Sequence, residues 1–126
     1  IVSPYLQKGR IVKLLPSLQK AAASGVEIAI HTRTADSRKL SNQENVCEAI
    51  EALKQAGIVV HTHGELNQRY AVVDESVVWY GSVDFLAFGR KDTDVLRFKN
   101  PDIAGEFLAL SGHAESEQLV IEDVSM

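Results

Sequence analysis

Two short apolar runs separated by one amphipathic stretch constrain this chain more than any other feature. Val26-Glu27-Ile28-Ala29-Ile30-His31-Thr32 and Ile58-Val59-Val60-His61-Thr62 are rich in the β-branched residues that suit a pleated surface. Between them Val46, Cys47, Ile50, Leu53 and Lys54 recur at helical spacing. Ser41-Asn42-Gln43-Glu44 opens that stretch with the Ser-x-x-Glu form of a capping box, which satisfies two free amides at a helix start. Gly57 closes it with a residue able to take the left-handed cap. Strand, helix and strand at this spacing predict a parallel crossover unit, right-handed as such units are. Cys47 falls on the apolar side of the predicted helix and is expected to be a buried structural thiol. As the single cysteine, it excludes an internal disulfide and any multi-cysteine metal site.

The flanking segments extend the pattern. Val2-Ser3-Pro4-Tyr5 reads as a strand end followed by a turn, and Ile11, Leu14, Leu15, Leu18 and Ala22 form a helical stripe closing near Gly25. Pro16 lies within the stripe, so the helix is expected either to begin there or to kink there. Residues 70–74 and 77–80, separated by Glu75-Ser76, predict a tight hairpin. Residues 94–98 predict a fifth strand, alternating in and out. Asn100-Pro101 supplies an N-cap and a first-turn proline for a helix over 102–110, with Ile103, Phe107 and Leu110 on one face. The expected fold is α/β, a mixed β-sheet flanked by helices, with residues 1–112 as one domain and 113–126 as an acidic tail without fixed structure. The chain opens on Ile1 in what already reads as strand interior, and a piece of a longer protein is expected.

Charge is unevenly spread. Residues 1–63 carry 8 basic and 5 acidic side chains, a sum of +3, and residues 64–126 carry 5 and 12, a sum of −7. The segment from His113 onward holds Glu115, Glu117, Glu122 and Asp123 without Lys or Arg, so residues 1–112 sum to zero. Composition therefore gives no argument for nucleic-acid binding, and local clustering decides the matter. No apolar run is long enough to span a bilayer, and no signal peptide is visible; a cytoplasmic setting without a membrane partner is expected.

The chemistry-bearing residues concentrate in Leu66-Asn67-Gln68-Arg69-Tyr70-Ala71-Val72-Val73-Asp74, followed by Gly81-Ser82. The spacing Asn67-x-Arg69-x4-Asp74-x6-Gly81-Ser82 resembles the signature His-x-Lys-x4-Asp-x6-Gly-Ser of the phospholipase D superfamily. Val77-Val78-Trp79-Tyr80-Gly81-Ser82-Val83-Asp84-Phe85-Leu86, Asp92-Thr93-Asp94-Val95-Leu96-Arg97 and Ile103-Ala104-Gly105-Glu106-Phe107-Leu108 resemble the phospholipase D-like modules appended to bacterial superfamily 1 helicases and related ATPases. The resemblance covers roughly residues 1–110, taking in the opening Ser-Pro-Tyr, and implies one phospholipase D-like lobe. In that family two motif copies face each other across a pseudo-two-fold axis. One histidine attacks phosphorus, the other protonates the leaving group, the lysines hold phosphate oxygens and the aspartate orients the imidazole.

Carried onto this chain, the resemblance puts Asn67 at the nucleophile position. A carboxamide nitrogen is delocalised into its carbonyl, so it neither attacks phosphorus nor shuttles protons near neutral pH, tasks for which imidazole is suited. Arg69, at the lysine position, keeps the charge and offers a planar fork to phosphate. Asp74 and Ser82 match their counterparts, and Arg69 with Ser82 are the expected phosphate contacts. Asp84 stands where relatives usually carry asparagine, adding a negative charge that disfavours an anion.

The implied function is a catalytically degenerate domain serving a helicase or other DNA-processing protein as a nucleic-acid-binding or dimerisation module. Nucleic acid, a second copy or second lobe, and the helicase or ATPase region of a parent chain are the implied partners. Two alternatives stay open: an active phosphodiesterase or nuclease that borrows a histidine from another motif or subunit, and a pure protein-interaction domain. Neither cofactor nor metal is expected. Arg33, Arg38 and Lys39 form a basic edge after the first strand, by default a solvated loop and otherwise a phosphate-contacting edge. Strand alternation puts His61 and His63 on one face, as a metal pair or a substitute nucleophile would require, but no further ligand cluster accompanies them. His31 is expected at the surface or in a capping role, and Trp79 with Tyr80 as core or interface filler.

Overall fold

The computed structural model describes residues 1–35, 40–88 and 93–112. Along the chain run α1 (Lys8–Ala23), β1 (Ala29–Arg33), α2 (Leu40–Gln55), β2 (Val59–His63), β3 (Tyr70–Val73), β4 (Val77–Gly81), β5 (Val95–Lys99) and α3 (Pro101–Gly112). β1 and β2 pair in parallel, with His31 opposite His61 and Arg33 opposite His63. β3, β4 and β5 form an antiparallel meander. The N-terminal segment joins the two parts, since Val2 bridges His31 on one side and Tyr70 on the other. Val2 N donates to Tyr70 O at 2.7 Å and Tyr70 N donates in return to Val2 O at 3.1 Å, while Ser3 N donates to His31 O at 2.9 Å. The result is the expected α/β arrangement with a mixed sheet, in the order β2, β1, N-terminal segment, β3, β4, β5.

Side-chain alternation sorts the helices onto opposite faces. Ile30 joins Leu6, Ile11, Val46, Ala49, Ile50, Leu53, Ile58 and Leu86 in one apolar cluster, so α1 and α2 cover the Ile30 face. His31, Val2 and Tyr70 are directly paired and point the other way. On that side α3 packs over the hairpin: the Tyr70 hydroxyl donates to Phe107 O at 3.0 Å, and the two rings meet edge to face at 4.7 Å. Among the described residues no helix is long and apolar enough to cross a membrane.

Local signals explain the element ends. Gly57 takes φ +88°, and its amide bonds Lys54 O while Ile58 N bonds Leu53 O, the paired bonds of a Schellman cap. Asn100 Oδ1 accepts from the amides of Asp102 and Ile103 at 3.0 and 3.1 Å, with Pro101 at the first helical position as predicted. Gly81 is required by close approach: a Cβ there would sit 2.0 Å from Asp94 O.

Several expectations are corrected. The first helix does not start at Pro16 but runs from Lys8 to Ala23 with the proline inside it; Pro16 is exposed, and Leu14, Leu15 and Leu18 anchor the helix around it on the core. α2 starts at Leu40, which puts Ser41 inside the first turn rather than at the cap. Cys47 is exposed, because the buried line of α2 is Val46, Ala49, Ile50 and Leu53 and the next residue after Val46 is turned about 100° away from it. β5 does not alternate: Val95, Leu96, Arg97 and Lys99 are all exposed and only Phe98 is half-buried, as befits the last strand of the meander. The segment 113–126 lies outside the described residues.

Candidate functional site

The end of β1 and the approach to β3 meet at Arg33. Its Nε donates to Leu66 O at 2.8 Å, Nη1 to the Tyr5 hydroxyl at 3.0 Å and Nη2 to Asn67 Oδ1 at 2.5 Å. All three oxygens are neutral, so the guanidinium is held rigidly without losing its charge. Arg69 lies on the other side of Asn67, donating from Nη1 to the Asn67 carbonyl at 3.3 Å. Both guanidinium groups stand over the Tyr5 ring, at 4.9 Å for Arg33 and 5.8 Å for Arg69. Such contacts of a cation with an aromatic ring favour both arginines here.

Asp84 completes the group. One carboxylate oxygen is 3.1 Å from Arg69 Nε and the other accepts from Tyr5 N at 3.2 Å. Both side chains of this ion pair are largely covered, at 28% and 19% exposure, so the pairing is screened far less than a surface bridge. Two guanidinium groups and one carboxylate leave a local charge of +1, centred on Arg33. The carboxamide of Asn67 is thus an acceptor for a neighbouring cation, an electrostatic role that involves no nucleophile.

The structure brings together Asn67, Arg69 and Asp84 from the motif, with Arg33 and Tyr5 from elsewhere in the chain. It does not bring Asp74 to them. Asp74 occupies the hairpin turn with φ 54°, at the far end of β3 and on the order of 15 Å along the strand from Arg69. Ser82 is engaged elsewhere: its hydroxyl accepts from Asp94 N at 3.0 Å and donates to Asp94 O at 3.4 Å, clasping β4 to the start of β5. Only the backbone beside it reaches the site, with Gly81 N donating to Arg69 O at 3.5 Å. Arg33 is not a solvated loop residue but the hub of the group, whereas Arg38 and Lys39 lie outside the described residues. Tyr5 is the contributor that residue-by-residue reading overlooked, and its signal was its place in Ser-Pro-Tyr.

Beside this group lies a stack of histidines. His31 is 5% exposed rather than at the surface. Its ring stacks on His61 at 4.6 Å and on His63 at 5.2 Å, and His31 Nδ1 shares a hydrogen bond of 2.9 Å with His63 Nε2. Burial first, and then the neighbouring His61 and His63, push the His31 imidazole down to about 4, so it is neutral at physiological pH. The parallel register puts Arg33 directly beside His63, and all four side chains line one face of β1 and β2. Among the described residues no group of three His, Cys, Asp or Glu is arranged to hold a metal ion.

An open cleft of about 370 Å³ adjoins Asn67, lined by Val2, Glu65, Leu66, Asn67, Gln68, Tyr70 and Leu110. Away from the site, Trp79 is half-buried with Arg97 over its ring at 5.5 Å, and Tyr80 packs on Phe107 at 5.4 Å. No protein-family model matches the sequence, and no curated protein is significantly similar to it.

Proposed function

We propose that this chain is a degenerate phospholipase D-like lobe that binds nucleic-acid phosphate without cleaving it, as an accessory module of a larger DNA-processing protein with a helicase or ATPase region. The observation that carries the reading is the hydrogen-bonding of Arg33. Three of its five N–H groups end on neutral oxygens, one of them the carboxamide at the position where the resembled family carries the nucleophilic imidazole. Among the described residues no carboxylate pairs with this guanidinium, and its two remaining N–H groups suit a phosphate oxygen, while the absence of an imidazole at position 67 removes the attacking group. Arg69 contributes less, because Asp84 already neutralises it.

With Arg33 the one cation of this group without a carboxylate partner among the described residues, the expected binding is weak and salt-sensitive, in the range of about 10⁻⁴ to 10⁻⁶ M typical of non-specific contacts. Fluorescence anisotropy with a labelled oligonucleotide at several salt concentrations tests this. The expected result is binding that weakens with salt and is lost in Arg33→Ala. Metal-free hydrolysis of bis(p-nitrophenyl) phosphate by the intact chain, abolished by Arg33→Ala, would falsify the non-catalytic part; salt-independent binding would remove the phosphate part.

A further inference from the structure

We infer that the cleft beside Asn67 receives one unpaired base of a single-stranded nucleic acid whose phosphate rests on Arg33. The inference deepens the phosphate-binding reading and rests on it. Cleft and cation share their walls: Leu66 and Asn67 line the cleft, and the Leu66 carbonyl and Asn67 Oδ1 are two of the three groups that hold Arg33. A phosphate on the guanidinium therefore lies within one nucleotide's reach of the cleft.

The lining matches a base in its chemistry. Leu66 and Leu110, both half-buried, offer apolar surface to the flat face of a ring over a floor of Val2 and Tyr70. Val2 and Tyr70 are each 2% exposed and tied by two backbone hydrogen bonds, so that floor is formed before any ligand arrives. Glu65, Asn67 and Gln68 supply the polar part. Asn67 has its side-chain Oδ1 committed to Arg33, which leaves its side-chain amide hydrogens for an acceptor on the base edge. Gln68 can donate and accept, and the Glu65 carboxylate accepts from exocyclic amino groups. That carboxylate also excludes a second phosphate from the cleft, so the two halves of the site sort phosphate from base. At about 370 Å³ the open cleft falls at the small end of ligand sites and has room for a base. A base in a duplex has both its faces stacked and its pairing edge occupied, so a single strand is what presents a base to such a cleft.

The test compares three labelled probes by anisotropy at fixed low salt: a single-stranded cytosine-containing decamer, the same decamer with abasic residues, and the duplex. The decamer with bases is expected to bind at least about fivefold more tightly than the abasic one, in line with the contribution of a bound base. Gln68→Ala alters an exposed side chain and is expected to narrow the gap between the two strands, whereas Glu65→Ala, which also removes the charge that excludes phosphate, is expected to narrow it while strengthening binding of the abasic strand. Arg33→Ala should weaken both strands alike. Equal affinity for the abasic and cytosine strands overturns the base site while the phosphate reading stands, and duplex binding as tight as single-strand binding overturns it as well. Binding of none of the probes overturns the base site together with the phosphate reading.

Discussion

Asn67 touches two arginines at once, and this double contact decides what a substitution there can do. Replacing it by histidine installs the residue type that the phospholipase D signature carries at this spacing but removes the acceptor of Arg33 Nη2 and leaves the new imidazole far from Asp74 in the hairpin turn. Asn67→His is therefore expected to stay inert toward bis(p-nitrophenyl) phosphate; metal-free turnover would show that the scaffold still positions a nucleophile. Asp84 gives the complementary prediction. In Asp84→Asn an oxygen can still accept from Tyr5 N, but Arg69 loses its counter-charge. Oligonucleotide affinity should rise, and the slope of log affinity against log salt should steepen by up to about one phosphate contact. An unchanged slope would mean that Arg69 faces away from the bound strand. Arg69 and Asp84 were legible in the motif spacing, but their pairing was not. Nor was the bond between Arg33 and Asn67, because residues 34 apart in sequence meet only once the strand order is fixed.

At the scale of elements, local chemistry was most readable where one side chain or one backbone angle settles the matter, as at Asn100 and Gly57. It was least readable where packing chooses among neighbours, as for Cys47, which a helical stripe alone could not keep out of the core. The β3–β4 turn lies between these cases. Asp74 and Glu75 both adopt positive φ in a three-residue loop, closed by Ser76 N bonding Val73 O at 3.1 Å and built without glycine. A glutamate in the left-handed region is strained, so the double change Asp74→Asn and Glu75→Gly should stabilise the chain by about 1 kcal/mol, read as a higher urea midpoint. No shift would mean that the turn gains nothing from the preferred residues. Gly81 should behave in the opposite sense. Its missing Cβ makes room for Asp94 O, so Gly81→Ala must push β5 away and undo the Ser82 clasp, at a cost of about 1–3 kcal/mol. Wild-type stability in that variant would show that the strands separate at little cost.

The whole molecule is organised about the N-terminal segment, which turns a parallel pair and an antiparallel meander into one sheet and places His31 near its middle. The α/β class was readable from the periodicities of each segment; the bridging role of Val2 was not, since its partners lie 29 and 68 residues away. That central position makes His31 a reporter of the intact fold. In the folded chain its imidazole is held at about 4 against an ordinary 6.5. Above pH 6.5 both folded and unfolded chains are neutral there, and the contribution to stability is complete. As the pH falls below 6.5 the unfolded chain takes up a proton that the folded chain refuses, so stability declines down to the folded value near 4 and then levels off. The loss is expected to reach about 2 kcal/mol at pH 5, most of it above the range in which carboxylates titrate. Urea unfolding at pH 7.5 and pH 5 measures it, with His31→Gln as the control that removes the titrating ring. The control should lose markedly less stability than the natural chain over the same interval. Equal losses in the two proteins would place the proton uptake on other groups and show that the histidine stack is open to water in solution.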